Sequence, residues 1–108
     1  MSGTIEMVSF KLNTDTSEQA FLDSNQALEA WVAKQPGFQY RALSKQEDGT
    51  WVDLVFWESL EQAQQAGAAF MAADELKPML AFIDKDSVNM QHMPVLACVA
   101  QEQAQAMA

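Results

Sequence analysis

The stretch of sequence that decides the fold runs from residue 48 to residue 59 and reads Asp48-Gly49-Thr50-Trp51-Val52-Asp53-Leu54-Val55-Phe56-Trp57-Glu58-Ser59. An Asp-Gly pair between two runs of alternating residues is a strong signal for a two-residue hairpin turn. We therefore predict a β-hairpin of strands 38–46 and 50–57, in which Lys45 lies opposite Val52.

This register sorts the side chains of the hairpin onto two faces, because neighbours along a strand alternate in direction. One face carries Leu43, Val52, Leu54 and Phe56, with Arg41 and Lys45 at its margins. The other carries Phe38, Tyr40, Ala42, Ser44, Trp51, Asp53, Val55 and Trp57. Tyr40 and Asp53 are therefore expected on one aromatic face, and Arg41 on the opposite one.

Upstream of the hairpin, the pattern predicts one strand and one helix. Residues 5–12 alternate as a strand with apolar residues on both faces. A helix is expected to begin near Ser17, with Asp15 or Thr16 as the capping residue. Pro36-Gly37 ends that helix, because Pro disfavours helical backbone before it and Gly accepts positive φ.

Downstream, the chain predicts further helices and a last strand. Ser59, three residues before Gln62, predicts the N-cap of a second helix. Asp74 is expected to cap a short third helix, and residues 87–95 form a strand that Pro94 places at a sheet edge. Residues 95–100 are expected to form an extra strand or an arm onto a partner.

The predicted order β-α-β-β-α-β is the ferredoxin-like α+β fold with an antiparallel sheet. Residues 1–100 are expected to form a single domain, followed by a frayed tail over residues 101–108. All four strands are apolar on both sides, and two helices can cover only one side of the sheet. We therefore expect a homodimer whose sheets pack face to face as a dimeric α+β barrel; a monomer would expose one apolar face.

Charge and composition exclude several classes of function. Six Lys and Arg against fifteen Asp and Glu give a net charge of −9, which disfavours nucleic acid and anionic membranes as partners. A single cysteine, Cys98, excludes an internal disulfide and a multi-cysteine zinc site. No signal peptide or transmembrane stretch is recognisable, so a cytoplasmic protein is expected.

Two segments resemble a known superfamily. Gln35-Pro36-Gly37-Phe38 with Arg41, followed by Asp48-Gly49-x-Trp51-x-Asp53-x-Val55-x-Trp57-x-Ser59, resembles the dimeric α+β barrel proteins of the antibiotic-biosynthesis-monooxygenase-like superfamily. The ending Ile83-Asp84-x-Asp86-Ser87-Val88-x-Met90-x-His92 looks like an uncharacterised bacterial branch of it. The resemblance covers roughly residues 5–95.

The resemblance implies a homodimeric barrel with a small hydrophobic pocket between sheet and helices in each subunit. The superfamily includes cofactor-independent monooxygenases of aromatic polyketides and haem-degrading enzymes. Haem degradation is disfavoured, because about Ala66 stands where those enzymes carry a helical Trp and no predicted helix carries a His. Flavin, nicotinamide and Walker motifs are absent too, so no cofactor is expected.

Three residues are candidates for proton transfer. His92 is the only histidine, the residue type best suited to proton transfer near neutral pH, so it is the candidate general base, although a satisfied structural histidine is the alternative. Asp53 is a carboxylate in the middle of a strand between two Trp residues, which is costly unless it is hydrogen-bonded. Tyr40 is expected beside it. A single His cannot form a His-based zinc site, and Asp84-x-Asp86 supplies too few clustered carboxylates for a Mg²⁺ or Ca²⁺ site, so no metal is expected.

Three further residues are candidates for substrate binding. Trp51 and Trp57 would wall a pocket for a flat aromatic ligand, with core and interface packing as the alternative. Arg41 would bind a substrate carboxylate, or make a salt bridge between subunits.

The sequence thus predicts a cofactor-free monooxygenase acting on a small aromatic or enolic compound. The alternative is a non-catalytic dimer that binds a small ligand or serves as an interaction module.

Overall fold

The computed structural model describes residues 3–99, and the predicted tail 101–108 lies outside them. Along the chain come β1 (Thr4–Phe10), α1 (Glu18–Val32), β2 (Phe38–Lys45), β3 (Trp51–Trp57), α2 (Leu60–Ala72), α3 (Lys77–Leu80) and β4 (Asn89–Pro94). The strands form one antiparallel sheet in the order β2-β3-β1-β4. This confirms the predicted ferredoxin-like α+β fold. No helix among residues 3–99 is both long and apolar enough to cross a membrane.

The two main helices begin at serine caps. The Ser59 hydroxyl accepts a hydrogen bond from the backbone N–H of Gln62 at 3.2 Å, as predicted. At α1 the cap is Ser17, whose hydroxyl accepts from the N–H of Ala20 at 3.2 Å. The predicted caps at Asp15 and Thr16 are wrong, because Asp15 has a φ of 67° and is part of the turn that precedes the helix.

The third helix and the last strand are shorter than predicted. A 3₁₀ turn over Asp74–Leu76 leads into α3, and the side chain of Asp74 makes no capping hydrogen bond, so the predicted cap there is wrong. β4 pairs only with β1 and is an edge strand, as Pro94 predicts. Beyond β4, the N–H of Val95 still bonds to the carbonyl of Gly3 at 2.9 Å, but residues 95–99 form no further strand.

The predicted hairpin register is wrong by one residue. The carbonyl of Gln46 accepts from the N–H of Gly49 at 3.0 Å, and Gly49 has a φ of 91°, so the loop holds three residues instead of two. Lys45 therefore lies opposite Trp51 instead of Val52.

The corrected register exchanges the faces of β2. Arg41, Leu43 and Lys45 now share a side with Trp51, Asp53 and Val55, while Tyr40, Ala42 and Ser44 share the other side with Val52, Leu54 and Phe56. A bulge between Phe38 and Tyr40 brings Phe38 back opposite Trp57. The prediction that Tyr40 and Asp53 share a face is therefore wrong.

The helices cover the side of the sheet that carries Phe10, Trp51, Val55 and Trp57, which we call the helix-facing side. Phe21 from α1 is 1% exposed and meets Trp51 edge-on, with ring centroids 5.0 Å apart. The core also includes Leu28, Val32, Ala63, Ala66, Ala73, Leu76 and Met79. Small residues along α2 let this helix lie close to the sheet.

The opposite side of the sheet, which we call the open face, is apolar but not buried. It carries Ile5, Met7, Tyr40, Ala42, Val52, Leu54, Phe56 and Met93. Each of these side chains is only partly buried or exposed, and Tyr40 is 41% exposed. Both faces of the sheet are therefore apolar, as the sequence predicts.

Two glycines with positive φ provide a matched test of this packing. A Cβ at Gly37 would lie 2.2 Å from Oε1 and 2.8 Å from Cβ of Gln62, whereas a Cβ at Gly49 would meet nothing within 4 Å. Gly49→Ala should therefore lower the free energy of unfolding by about 1–2 kcal/mol, the cost of a φ of 91° for a residue with a Cβ. Gly37→Ala has the same backbone strain plus the clash, so it should lower the free energy of unfolding further, as urea denaturation measures. Equal losses in the two variants would show that Gln62 moves away freely.

Candidate functional site

The helix-facing side of the sheet carries a band of polar side chains, one from each strand. Glu6 on β1 lies opposite His92 on β4, and on its other side opposite Val55 on β3. Asp53 is therefore a diagonal neighbour of Glu6, and Arg41 on β2 comes next. The corrected register assembles this band, because it brings Arg41 to the side of Asp53.

Arg41 and Asp53 form a nearly buried, two-pronged ion pair. Arg41 Nε donates to Asp53 Oδ1 at 2.9 Å, and Nη2 donates to Oδ2 at 2.8 Å. The two side chains are 8% and 13% exposed. This ion pair offsets the free-energy cost of burying a carboxylate in the middle of a strand, since the charge is neutralised and hydrogen-bonded. Arg41 thus has a salt-bridge partner within its own chain.

Asn25 connects this ion pair to α1. Its Oδ1 accepts from Arg41 Nη2 at 2.8 Å, and its Nδ2 donates to Glu29 Oε2 at 3.3 Å. Asn25 is only 4% exposed, so its amide is committed to these two contacts. Sequence reasoning missed Asn25, because a single polar residue on the buried face of a helix gives no signal of its partner.

His92 lies beside a carboxylate that sequence reasoning also missed. Its Nε2 is 3.1 Å from Glu6 Oε1, and the two side chains are 25% and 14% exposed. Burial raises the pKa of Glu6, the hydrogen bond and charge of His92 lower it, and the nearby Asp53 charge raises it. The alternation of β1 could have shown Glu6, since it is in phase with Val8 and Phe10.

The His92–Glu6 pair has the arrangement of an oriented base. With Glu6 ionised, Nε2–H of His92 donates to the carboxylate, and Nδ1 keeps its lone pair free to accept a proton. The same logic, a base held in one tautomer by an acid, underlies the histidine of many hydrolases.

The two predicted Trp residues have different surroundings. Trp51 is built into the aromatic core, stacked on Phe10 at 6.4 Å, with Lys45 Nζ 5.5 Å from its ring. Trp57 is 2% exposed and meets Phe38 edge-on at 6.0 Å. Among residues 3–99, Trp57 Nε1 is the one buried side-chain donor or acceptor that has no hydrogen-bond partner. Such an orphaned donor is unusual in a folded protein.

Tyr40 lies on the opposite side of the sheet from Asp53 and His92. Its ring lies edge-on to Phe56 at 5.6 Å, on the open face. The cause is the three-residue loop at Gly49, which turns the side chain of Tyr40 away from Asp53.

An open cleft of about 500 Å³ lies between α1 and the edge strand β2. We call it the α1–β2 cleft. Its apolar walls are Leu22, Val32, Phe38 and Leu43, and its polar side chains are Asn25, Glu29, Tyr40 and Arg41. Within residues 3–99, no group of three or more His, Cys, Asp and Glu side chains is placed to hold a metal ion.

The fold and this site can now be compared with known proteins. No family model matches the chain, and no curated protein matches it. Solved structures do match, and the chain shares their ferredoxin-like α+β fold; they include monooxygenases and an antibiotic-biosynthesis-monooxygenase-like protein. The resemblance predicted from the sequence is confirmed at the level of fold.

Three of these structures are informative. The monooxygenase ActVA-Orf6 of Streptomyces coelicolor, solved with nanaomycin D, has a TM-score of 0.70 at 16% identity over 94% of each chain. SnoaB of Streptomyces nogalater, a cofactor-independent oxygenase, has a TM-score of 0.62 at 17% identity, covering 94% of this chain and 99% of its own. A dimeric ferredoxin-like protein from an uncultured marine organism has a TM-score of 0.69 at 12% identity, covering 94% and 95%. At these identities the likeness shows the fold alone.

The Arg41–Asp53 pair makes a prediction about stability. Arg41→Met leaves Asp53 charged and unpaired under the helices, so it should cost about 3–5 kcal/mol of unfolding free energy. Arg41→Met with Asp53→Asn removes both charges and should cost less than the single change. The measurement is a double-mutant cycle by urea denaturation.

A second ion pair serves as the control for this cycle. Lys45 and Glu18 pair across the same helix–strand boundary, but their side chains are 43% and 52% exposed. The corresponding cycle with Lys45→Met and Glu18→Gln should give a coupling of about 0–1 kcal/mol. Equal couplings for the two pairs would contradict the burial argument.

Proposed function

We propose that the protein is a homodimeric, cofactor-independent monooxygenase that acts on a small aromatic or enolic compound. The observation that carries the proposal is the His92–Glu6 pair, a histidine oriented by a carboxylate on the helix-facing side of the sheet. The fold of this chain is shared with a monooxygenase and a cofactor-independent oxygenase, which supports the same reaction class.

The proposed reaction begins with proton transfer. Nδ1 of His92 takes a proton from a phenolic or enolic substrate, and the resulting anion is electron-rich enough to react with O₂ directly. One oxygen atom enters the substrate, and the second leaves as water with two hydrogens that the substrate gives up. The side chain of His92 is 25% exposed, and Met90 beside it on β4 is 52% exposed, so a small molecule has access.

Trp57 supports the same site from the other side of Glu6. Trp57 and Asp53 are the two diagonal neighbours of Glu6 on β3. The Nε1–H of Trp57 has no partner among the described residues, and it is closed off from solvent, so a bound anion reaches it only when the side chains over it move aside. A hydrogen bond from this donor would then stabilise developing negative charge.

The remaining predicted site residues take supporting roles in this proposal. Asp53 is bound by Arg41, so it shapes the charge around Glu6 instead of moving the proton itself. Trp51 holds the core beneath the site. Tyr40 lies on the open face, where it contributes to the dimer contact.

The open face supports the proposed homodimer. Its apolar side chains, which include Ile5, Leu54 and Phe56, are only partly buried within one chain. A second copy of the same sheet presents the matching apolar surface, and burying it stabilises the pair. The dimeric marine protein with the same fold supports this assembly.

A non-catalytic ligand-binding dimer is the second candidate. The α1–β2 cleft favours it, because this cleft adjoins Arg41 and Asn25 and lies away from His92.

The proposed catalysis can be tested with His92→Ala. We expect kcat for O₂ uptake, measured on a panel of small hydroxynaphthalenes, to fall about 10²- to 10⁴-fold, because the base is lost. Met90→Ala on the same strand is the control and should retain turnover. Glu6→Gln should alter the pH profile of kcat, since it changes the group that orients His92. If His92→Ala dissociates the dimer, His92 is structural; if the wild-type protein consumes no O₂ with any compound, the non-catalytic candidate is favoured.

The proposed dimer can be tested with Leu54→Glu. A charge in the centre of the open face would face its own copy across the interface, so we expect a monomer by sedimentation velocity. Gln65→Glu adds the same charge to the exposed surface of α2 and should leave the dimer intact. A wild-type protein that sediments as a monomer would overturn the proposed assembly.

A further inference from the structure

One guanidinium nitrogen of Arg41 makes no hydrogen bond. Nε donates to Asp53, and Nη2 donates to Asp53 and Asn25, whereas Nη1 donates no hydrogen bond within residues 3–99. Nη1 is not among the buried unpartnered atoms of this part of the chain, and Arg41 lines the α1–β2 cleft. Its N–H groups are therefore available to a molecule in that cleft, on a side chain that is itself 8% exposed and held rigidly.

We propose that the α1–β2 cleft is a second binding site, separate from the His92–Glu6 pair, for a small, planar, uncharged molecule with a carbonyl-type oxygen. Arg41 Nη1 donates to that oxygen, and the flat body of the ligand lies against Leu22, Val32 and Leu43. The volume of about 500 Å³ is within the range of small-molecule sites, roughly 300–1,000 Å³.

The sheet topology separates this cleft from His92. Arg41 is on β2 and His92 is on β4, and β3 and β1 lie between them. Three strand spacings of about 4.8 Å place the two backbones roughly 14 Å apart. A single-ring compound cannot contact both residues, so the cleft and the His92–Glu6 pair are distinct sites.

The charges around the cleft select an uncharged ligand. Asp53 neutralises Arg41, and Glu29 at the exposed rim leaves the local sum negative. A carboxylate ligand would be repelled by Glu29, and the residues that line the cleft include no second cation to offset that repulsion. A primary amide fits better, because its oxygen accepts from Nη1 and its N–H donates to Glu29.

The test uses three compounds of the same shape: benzamide, benzoate and benzamidine. We expect benzamide to bind most tightly in an NMR titration of the full-length protein, with amide shifts at Asn25, Phe38 and Arg41 and none along Asn89–Pro94. Shifts confined to Asn89–Pro94 would place the ligand at His92 instead and overturn the proposal. Tighter binding of benzamidine than of benzamide would also overturn it, since recognition would then rest on Glu29 and not on Arg41.

Two variants on α1 test the charge argument without disturbing the buried pair. Glu29→Gln should tighten benzoate by about fivefold, because it removes the repulsion at the rim. Asp23→Asn removes the same charge from the same helix outside the cleft and should leave benzoate binding unchanged. Equal effects of the two variants would show a general charge effect and no specific site. The titration measures binding alone, so it stands whether or not the protein shows O₂ uptake.

Discussion

The pairing of β2 with β3 is determined by the length of the hairpin loop, which has three residues and ends at Gly49 with a φ of 91°. A two-residue turn would place Lys45 opposite Val52 and rotate Arg41 to the open face. Asp53 would then be an ionised carboxylate under the helices with no cation beside it, which is strongly destabilising. The length of this loop thus decides whether the helix-facing side of the sheet can hold its polar band.

The Arg41–Asp53 pair in turn organises the packing of α1. Arg41 is the only arginine in a chain of net charge −9, and it is used in the interior of the protein, not on its surface. Through Asn25 its guanidinium also holds the buried face of α1 against β2. The planar, forked guanidinium can satisfy a carboxylate and an amide at once, which a lysine cannot. The pair thus contributes to the fold and, at the same time, leaves one donor facing the cleft.

The sequence predicts most of the fold and only part of the site, for physical reasons that particular residues make clear. Ser59 and Pro36-Gly37 act within a few residues of themselves, so local rules identify the helix boundaries. The hairpin register depends on the choice between a two- and a three-residue loop, and Asp48-Gly49 is compatible with both. A register shift of one residue exchanges the two faces of β2. The prediction of a two-residue loop therefore placed Tyr40, instead of Arg41, on the side of Asp53. The side of the sheet on which Glu6 lies could have been predicted from the alternation of residues along β1. Its pairing with His92 could not, because it depends on the order of the strands in the sheet.

The open face, the His92–Glu6 pair and the α1–β2 cleft are arranged so that one small chain can have more than one function. The open face is apolar and lies on one side of the sheet, while the His92–Glu6 pair lies on the other. The α1–β2 cleft lies at the β2 edge, and Tyr40 belongs both to this cleft and to the open face. A second copy bound to the open face therefore leaves the His92–Glu6 pair accessible and adjoins the cleft at Tyr40. Glu6 and Asp53 nevertheless share an electrostatic environment, because the charge of Asp53 raises the pKa of Glu6. The polar band thus extends from Arg41 at one edge of the sheet, through Asp53 and Glu6, to His92 at the other.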